Sequence, residues 1–150
     1  MINRFTILIV SLNIIFGSVP DASGVNGAVT SSNKFASDVG INILKDGGNA
    51  VDAAIAVGFA LAVVHPGAGN IGGGGFMVIR LADGTKTTID FRETAPQKAS
   101  RDMFLDENGD IIEGKSWSTS WASGVPGSVA GFGLAHEEFG TLKWSQLIDS

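Results

Sequence analysis

Arg92 lies in the run Asp90-Phe-Arg-Glu-Thr-Ala-Pro96, where a guanidinium stands between two carboxylates near the end of a strand-like segment. A guanidinium so placed can grip a carboxylate through two parallel N–H···O bonds, a more rigid hold than a lysine ammonium offers. The same residues also read as a solvated ion pair, because Asp90 and Arg92 share a strand face and Glu93 is adjacent. Spacing alone favours that plainer account.

Two other stretches spell nucleotide-binding patterns, and both fail on context. Gly109-Asp-Ile-Ile-Glu-Gly114-Lys115-Ser116 matches G-x-x-x-x-G-K-S. A phosphate loop needs a buried strand before it and a helix after it. Here Asp106-Glu-Asn108 precedes and Trp117-Ser-Thr-Ser-Trp121 follows, while Asp110 and Glu113 inside the loop would repel phosphate. Gly67-Ala-Gly69-Asn-Ile-Gly72 matches G-x-G-x-x-G, but in the order helix, glycines, strand, so a phosphate would meet no helix N-terminus. The run continues to Gly75 and still needs a cause. Amides left bare beside a ligand or chain segment would supply one, and tight packing under the next strand another.

Composition removes further classes. The chain has 150 residues, the length of one ordinary domain or of a piece of something larger. Apolar residues make up 44% and charged residues 17%, enough to fill a core. Net charge is −5 and no basic run occurs, so nucleic acid is not an expected partner. With no cysteine and two histidines far apart, His65 and His136, the residues suggest neither a thiolate metal site nor a disulfide frame; no metal ligands and no cofactor are assigned. The 21 glycines are roughly twice the share of an ordinary chain, which points to backbone approaching closely.

The elements that must position Arg92 can be read from periodicity and punctuation. Ala28–Ser31 is a strand-like start, and Phe35, Ala36, Val39, Ile43 and Leu44 recur at helical spacing up to Gly47-Gly48. Asn49, with Asp52 three residues on, predicts the capped start of a second helix over 50–64, stopped by His65-Pro66. Being apolar on every face, that helix is expected to lie buried between layers. A strand over 76–81, a turn at Asp83-Gly84 and a return strand over 85–91 form a hairpin. Ala99–Phe104 reads as a short helix, and Asn108-Gly109 as a turn before Ile111. Pro126 and Gly140 bracket a third helix, in which Gly127 and Gly131 allow close approach. Trp144, Leu147 and Ile148 open a further amphipathic helix that runs to the edge of the sequence, as expected of the front part of a longer polypeptide.

Residues 1–22 differ from the rest. Arg4 precedes an apolar run from Phe5 to Phe16, followed by small and turn residues. This pattern reads as an export leader, and the run is shorter than the roughly 20 residues of a spanning helix. An uncleaved anchor is the alternative. Removal leaves residues 23–150 as an acidic piece, expected in the periplasm or secreted, with no membrane contact once the leader is gone.

Five segments, in order, carry a resemblance: Gly47-Gly-Asn-Ala-Val-Asp-Ala-Ala54; His65-Pro66 leading to Gly69-Asn-Ile-Gly-Gly-Gly-Gly-Phe-Met77; Ile89-Asp-Phe-Arg-Glu-Thr-Ala-Pro96; Arg101-Asp-Met-Phe104; and Ser123-Gly-Val-Pro-Gly-Ser-Val-Ala-Gly-Phe132. Together they make residues 27–149 closely resemble the N-terminal part of the large subunit of gamma-glutamyltransferases, also called gamma-glutamyltranspeptidases or glutathione hydrolases. The resemblance implies an α+β fold, an incomplete part of a four-layer αββα Ntn-hydrolase sandwich whose precursor cuts itself into two subunits. It also implies an enzyme that cleaves the gamma-glutamyl amide of glutathione and related compounds. An N-terminal threonine would form an acyl-enzyme, then passed to water or to an amino-acid or peptide amine. Arg92 stands where the family's arginine holds the glutamyl alpha-carboxylate, which shifts the weighing toward the clamp.

The implied nucleophile and oxyanion donors belong to the small subunit, the expected partner, so no catalytic residue is assigned within these 150 residues. Thr30, Thr94 and Thr119 are expected to be strand and turn residues, and the stretch alone is expected to be inactive. Related cephalosporin acylases and gamma-polyglutamate amidases, which share the scaffold, are the nearer alternatives. An exported, non-catalytic binding module is the farther one.

Overall fold

The computed structural model describes residues 23–149; the leader expected over 1–22 lies outside them. The elements in chain order are helix α1 (Lys34–Lys45), helix α2 (Ala50–Val64), strands β1 (Phe76–Arg80) and β2 (Lys86–Asp90), a 3-10 turn at Ser120–Ala122, helix α3 (Ser128–Phe139) and the short helix α4 (Trp144–Ile148). This is an α+β arrangement, in which helices cover one face of a two-stranded antiparallel sheet.

Helix α1 starts where Asn33 Oδ1 accepts the Phe35 N–H at 2.9 Å and ends before Gly47, whose φ of 93° only glycine adopts freely. Its buried residues, Ala36, Gly40 and Ile43, follow the i, i+4, i+7 spacing of one helical stripe. Helix α2 opens with the reciprocal cap that the sequence predicts. Asn49 Oδ1 accepts from the N–H of Val51 and Asp52, and Asp52 Oδ2 accepts the Asn49 N–H at 2.9 Å.

Asp52 does more than cap. Its side chain is fully buried, at 0% exposure, and it also accepts the Thr141 hydroxyl at 2.5 Å and the N–H groups of Thr141 and Leu142 at 3.1 and 3.4 Å. Asn49 Nδ2 donates to the Phe139 carbonyl at 2.6 Å. Burial pushes the Asp52 carboxyl up, but the bonds from Thr141, Asn49 and Leu142 outweigh it and hold the pKa below the ordinary 3.8. The start of α2 is thereby tied to the loop between α3 and α4.

The hairpin pairs Phe76 with Asp90 through to Arg80 with Lys86. Its turn closes with the Leu81 N–H donating to the Thr85 carbonyl at 2.9 Å, Gly84 at φ 91°, and Asp83 Oδ1 accepting the Thr85 N–H. Alternation puts Ile79 and Ile89 in the core beside Ile43, Ile55, Phe132 and Leu147. Phe76 and Val78 face away, 64% and 81% exposed.

Helix α3 begins at Ser128, two residues later than Pro126 suggests, because the Gly127 and Ser128 N–H groups donate to the Gly73 carbonyl at 2.7 and 3.0 Å. That carbonyl replaces a side-chain cap. A Cβ on Gly127 would fall inside contact distance of the Phe91 carbonyl oxygen, and one on Gly131 would run into the Phe91 ring. The expected close approach is therefore onto the end of β2.

Three expectations change. Residues 28–31 form no strand; Val29 instead packs its side chain against Gly40 of α1. Residues 99–104 are successive turns, closed by Ala99 N–H to Pro96 O, Met103 N–H to Ser100 O and Leu105 N–H to Asp102 O, and not a helix. Helix α2 is buried only in its first half, from Val51 to Val57, while Val63 is 79% exposed. Among the described residues no helix is long and apolar enough to cross a membrane.

Replacing Asp52 with alanine is expected to cost about 3 kcal/mol, because the N–H groups it serves lose a charged acceptor. A carboxyl held below its unfolded pKa contributes stability that is complete above that value and is lost as pH falls through the folded one. Urea denaturation should therefore show the gap between wild type and Asp52→Ala narrowing below about pH 4. Thermal denaturation of Gly127→Ala should show a loss of about 2 kcal/mol, because the Phe91 carbonyl is backbone and cannot swing aside.

Candidate functional site

Strand β2 ends at Asp90, but Phe91 stays fixed to the residue before β1. Its N–H donates to the Gly75 carbonyl at 3.0 Å, and its carbonyl accepts the Gly75 N–H at 3.4 Å. Two residues beyond Arg92, Thr94 forms a bridge with Val125, with bonds of 3.3 and 2.8 Å. Arg92 and Glu93 thus span the gap between two anchored points. The Arg92 side chain is 69% exposed and its Nε lies 3.4 Å from Glu93 Oε2. Asp90, expected to pair with the guanidinium, turns Oδ1 to the Arg92 backbone N–H at 3.0 Å.

The guanidinium stands at an open groove of about 450 Å³, lined among others by Pro96, Met103, Phe104, Trp121 and Gly124. Sequence reading missed these walls. They come from two separate loops, 96–104 and 121–124, brought together by the Thr94–Val125 bridge, and no local pattern marks that meeting. Lys115 Nζ sits 4.9 Å over the Trp121 ring, so the lysine of the phosphate-loop lookalike is occupied with an aromatic face.

The remaining candidates fall into structural places. The lookalike itself is a set of turns, with Gly109 and Gly114 at φ 86° and 76°, an isolated bridge from its own Ile111 back to Leu105 in place of a preceding buried strand, and no α-helix directly after it. The glycine run between α2 and β1 answers the question left open above in favour of packing at several positions. A Cβ on Gly74 would lie 2.5 Å from the Phe91 carbonyl oxygen and 2.7 Å from the Glu93 nitrogen, and the Gly73 carbonyl receives the amides that start α3. Gly72 has open space where its Cβ would be. His136 bonds through Nε2 with the Leu142 carbonyl at 2.7 Å and sets its ring against Trp144, a structural role. Among the described residues no three His, Asp or Glu side chains gather closely enough to hold a metal ion. Thr94 is a bridge residue and Thr119 caps the 3-10 turn through its hydroxyl.

Comparison with known proteins gives this geometry its context. The family model described as gamma-glutamyltranspeptidase matches residues 36–150. The chain is 57% identical over 122 residues to a glutathione hydrolase proenzyme of Escherichia coli (strain K12), covering 81% of this chain and 21% of that protein. It is 53% identical over 136 residues to a glutathione hydrolase proenzyme of Pseudomonas sp. (strain A14), covering 91% and 24%. The crystal structure of Helicobacter pylori gamma-glutamyltranspeptidase superposes with a TM-score of 0.82 at 53% identity, covering 87% of this chain and 37% of that one. The chain therefore spans about a fifth to a quarter of the length of these curated relatives. The likeness bears out the α+β class as part of an Ntn-hydrolase fold, and it does not favour the acylase, amidase or binding-module readings. With the family model matched over 36–150 and sequence identity above half across most of the chain, this chain belongs to the gamma-glutamyltranspeptidase family.

Proposed function

We propose that residues 23–150 are the N-terminal part of the large subunit of a glutathione hydrolase and gamma-glutamyltransferase, exported by a leader over residues 1–22 to the periplasm or the medium. In this reading the precursor cuts itself, and a threonine at the new N-terminus of the small subunit attacks the gamma-carbonyl of glutathione or another gamma-glutamyl compound. Its own amine takes the hydroxyl proton and gives it to the departing amine, leaving a glutamyl ester. Water or an acceptor amine then attacks the ester, releasing glutamate or a new gamma-glutamyl amide and restoring the threonine.

The part assigned to this chain is to hold the substrate's non-reacting end. The observation that carries the assignment is Arg92 itself, an exposed guanidinium on an otherwise fixed strand end. With Nε turned toward Glu93, the two Nη groups form the edge on which a carboxylate can be taken up by parallel bonds. Binding at that end is converted into alignment at the scissile amide. The outward face of the hairpin, Phe76 and Val78, and the exposed end of α2 at Val63 supply apolar surface for the rest of the enzyme, including the small subunit.

Arg92→Ala in the full-length enzyme is expected to raise KM for a gamma-glutamyl anilide about a hundredfold, with self-cleavage into two subunits intact. Arg92→Lys should recover only part of this, because an ammonium cannot form the paired contact. Steady-state kinetics on the anilide provide the check. An unaltered KM in Arg92→Ala would remove the clamp assignment.

A further inference from the structure

We propose that Asp90 is a positioning residue for Arg92, fixing the direction in which the guanidinium leaves the strand; the proposal rests on the carboxylate-clamp reading of Arg92. Successive residues of a strand turn their backbone N–H and C=O groups to opposite edges. Phe91 turns both of its groups toward Gly75, so the N–H of Arg92 turns to the other edge of β2. Among the described residues the sheet has two strands, and no third strand meets that edge.

The Asp90 carboxylate fills the place of that strand. Its Oδ1 accepts the Arg92 N–H at 3.0 Å, closing a turn two residues wide that ends the extended run at Arg92. On the other side the backbone has no room to shift, since Gly74 and Gly127 both press on the Phe91 carbonyl. The Cα–Cβ direction of Arg92 is therefore set by two constraints, packing before it and the Asp90 bond at it. The Phe91 carbonyl and the Arg92 N–H belong to one planar peptide, pinned at its oxygen by Gly75, Gly74 and Gly127 and at its N–H by Asp90. If the Asp90 bond is lost, that plane can tilt about its pinned oxygen, and a long side chain converts a small tilt into a displacement of its tip on the order of an ångström. A clamp with paired contacts is more sensitive to that than a single charge. Asp90 is exposed and its partner is a backbone group, so the role belongs to a hydrogen-bond acceptor and not to a negative charge.

The test compares Asp90→Ala and Asp90→Asn in the full-length enzyme with a gamma-glutamyl anilide. Asparagine keeps an oxygen at the Oδ1 position and removes the charge. Asp90→Ala is expected to raise KM about tenfold with kcat within about twofold, and Asp90→Asn to restore KM to within about twofold of wild type. In an Arg92→Ala background, Asp90→Ala should add nothing further, because it acts through Arg92. The proposal is overturned if Asp90→Ala leaves KM unchanged while Arg92→Ala raises it, if asparagine behaves like alanine, or if the two losses simply multiply. An Arg92→Ala enzyme with wild-type KM would instead overturn the clamp reading itself, so the two failures are distinguishable.

Discussion

The arrangement depends on one buried carboxylate. Asp52 has no exposed surface, yet it remains an acceptor for its own cap, for the Thr141 hydroxyl and for two further backbone amides. A charge in that position is tolerable only because donors surround it, and the donors come from segments about ninety residues apart in sequence. The bond network fixes the start of α2 against the end of α3. With α2 placed, the loop that follows it delivers Gly73 to the amides at the start of α3.

From there the constraint passes to the Phe91 backbone and ring. Gly74 and Gly127 lie against the same Phe91 carbonyl, and the Phe91 ring packs on Gly131 and, at 5.7 Å between centroids, on Phe132. A side chain larger than hydrogen at those glycines would separate the helix from the strand end. The glycine richness near β1 and in α3 is thus largely the cost of bringing three chain segments within backbone contact just before Arg92. The guanidinium is exposed, but the peptide that carries it is held by Gly75 at its carbonyl and by Asp90 at its N–H. That combination suits the role proposed for Arg92, receiving a carboxylate at a fixed point.

Local chemistry made much of this legible. The reciprocal cap at Asn49 and Asp52, the stop at His65-Pro66 and the Asp83-Gly84 turn each involve residues within a few positions of one another, so sequence spacing and spatial distance nearly coincide. The two false nucleotide motifs could be refused for the same reason, since the order of elements around them is itself local information. The 99–104 segment reads as a short helix between Pro96 and the Asn108-Gly109 turn, while its backbone bonds close separate turns beside the groove. The full burial expected of α2 was an inference from composition, and composition does not say which neighbours are near enough to cover each face.

By itself, the sequence determined the helices, the hairpin, the position of Arg92 at a strand end and, through five ordered segments, the family. Tertiary structure alone decided that Asp52 serves Thr141 as well as its own helix and that Gly73 starts α3. It also decided which aromatic walls stand beside Arg92. The division follows distance along the chain. Caps and turns are contests between neighbouring groups and leave a signature in residue order, whereas a buried acceptor or a glycine contact is satisfied by whichever remote segment folding brings to it.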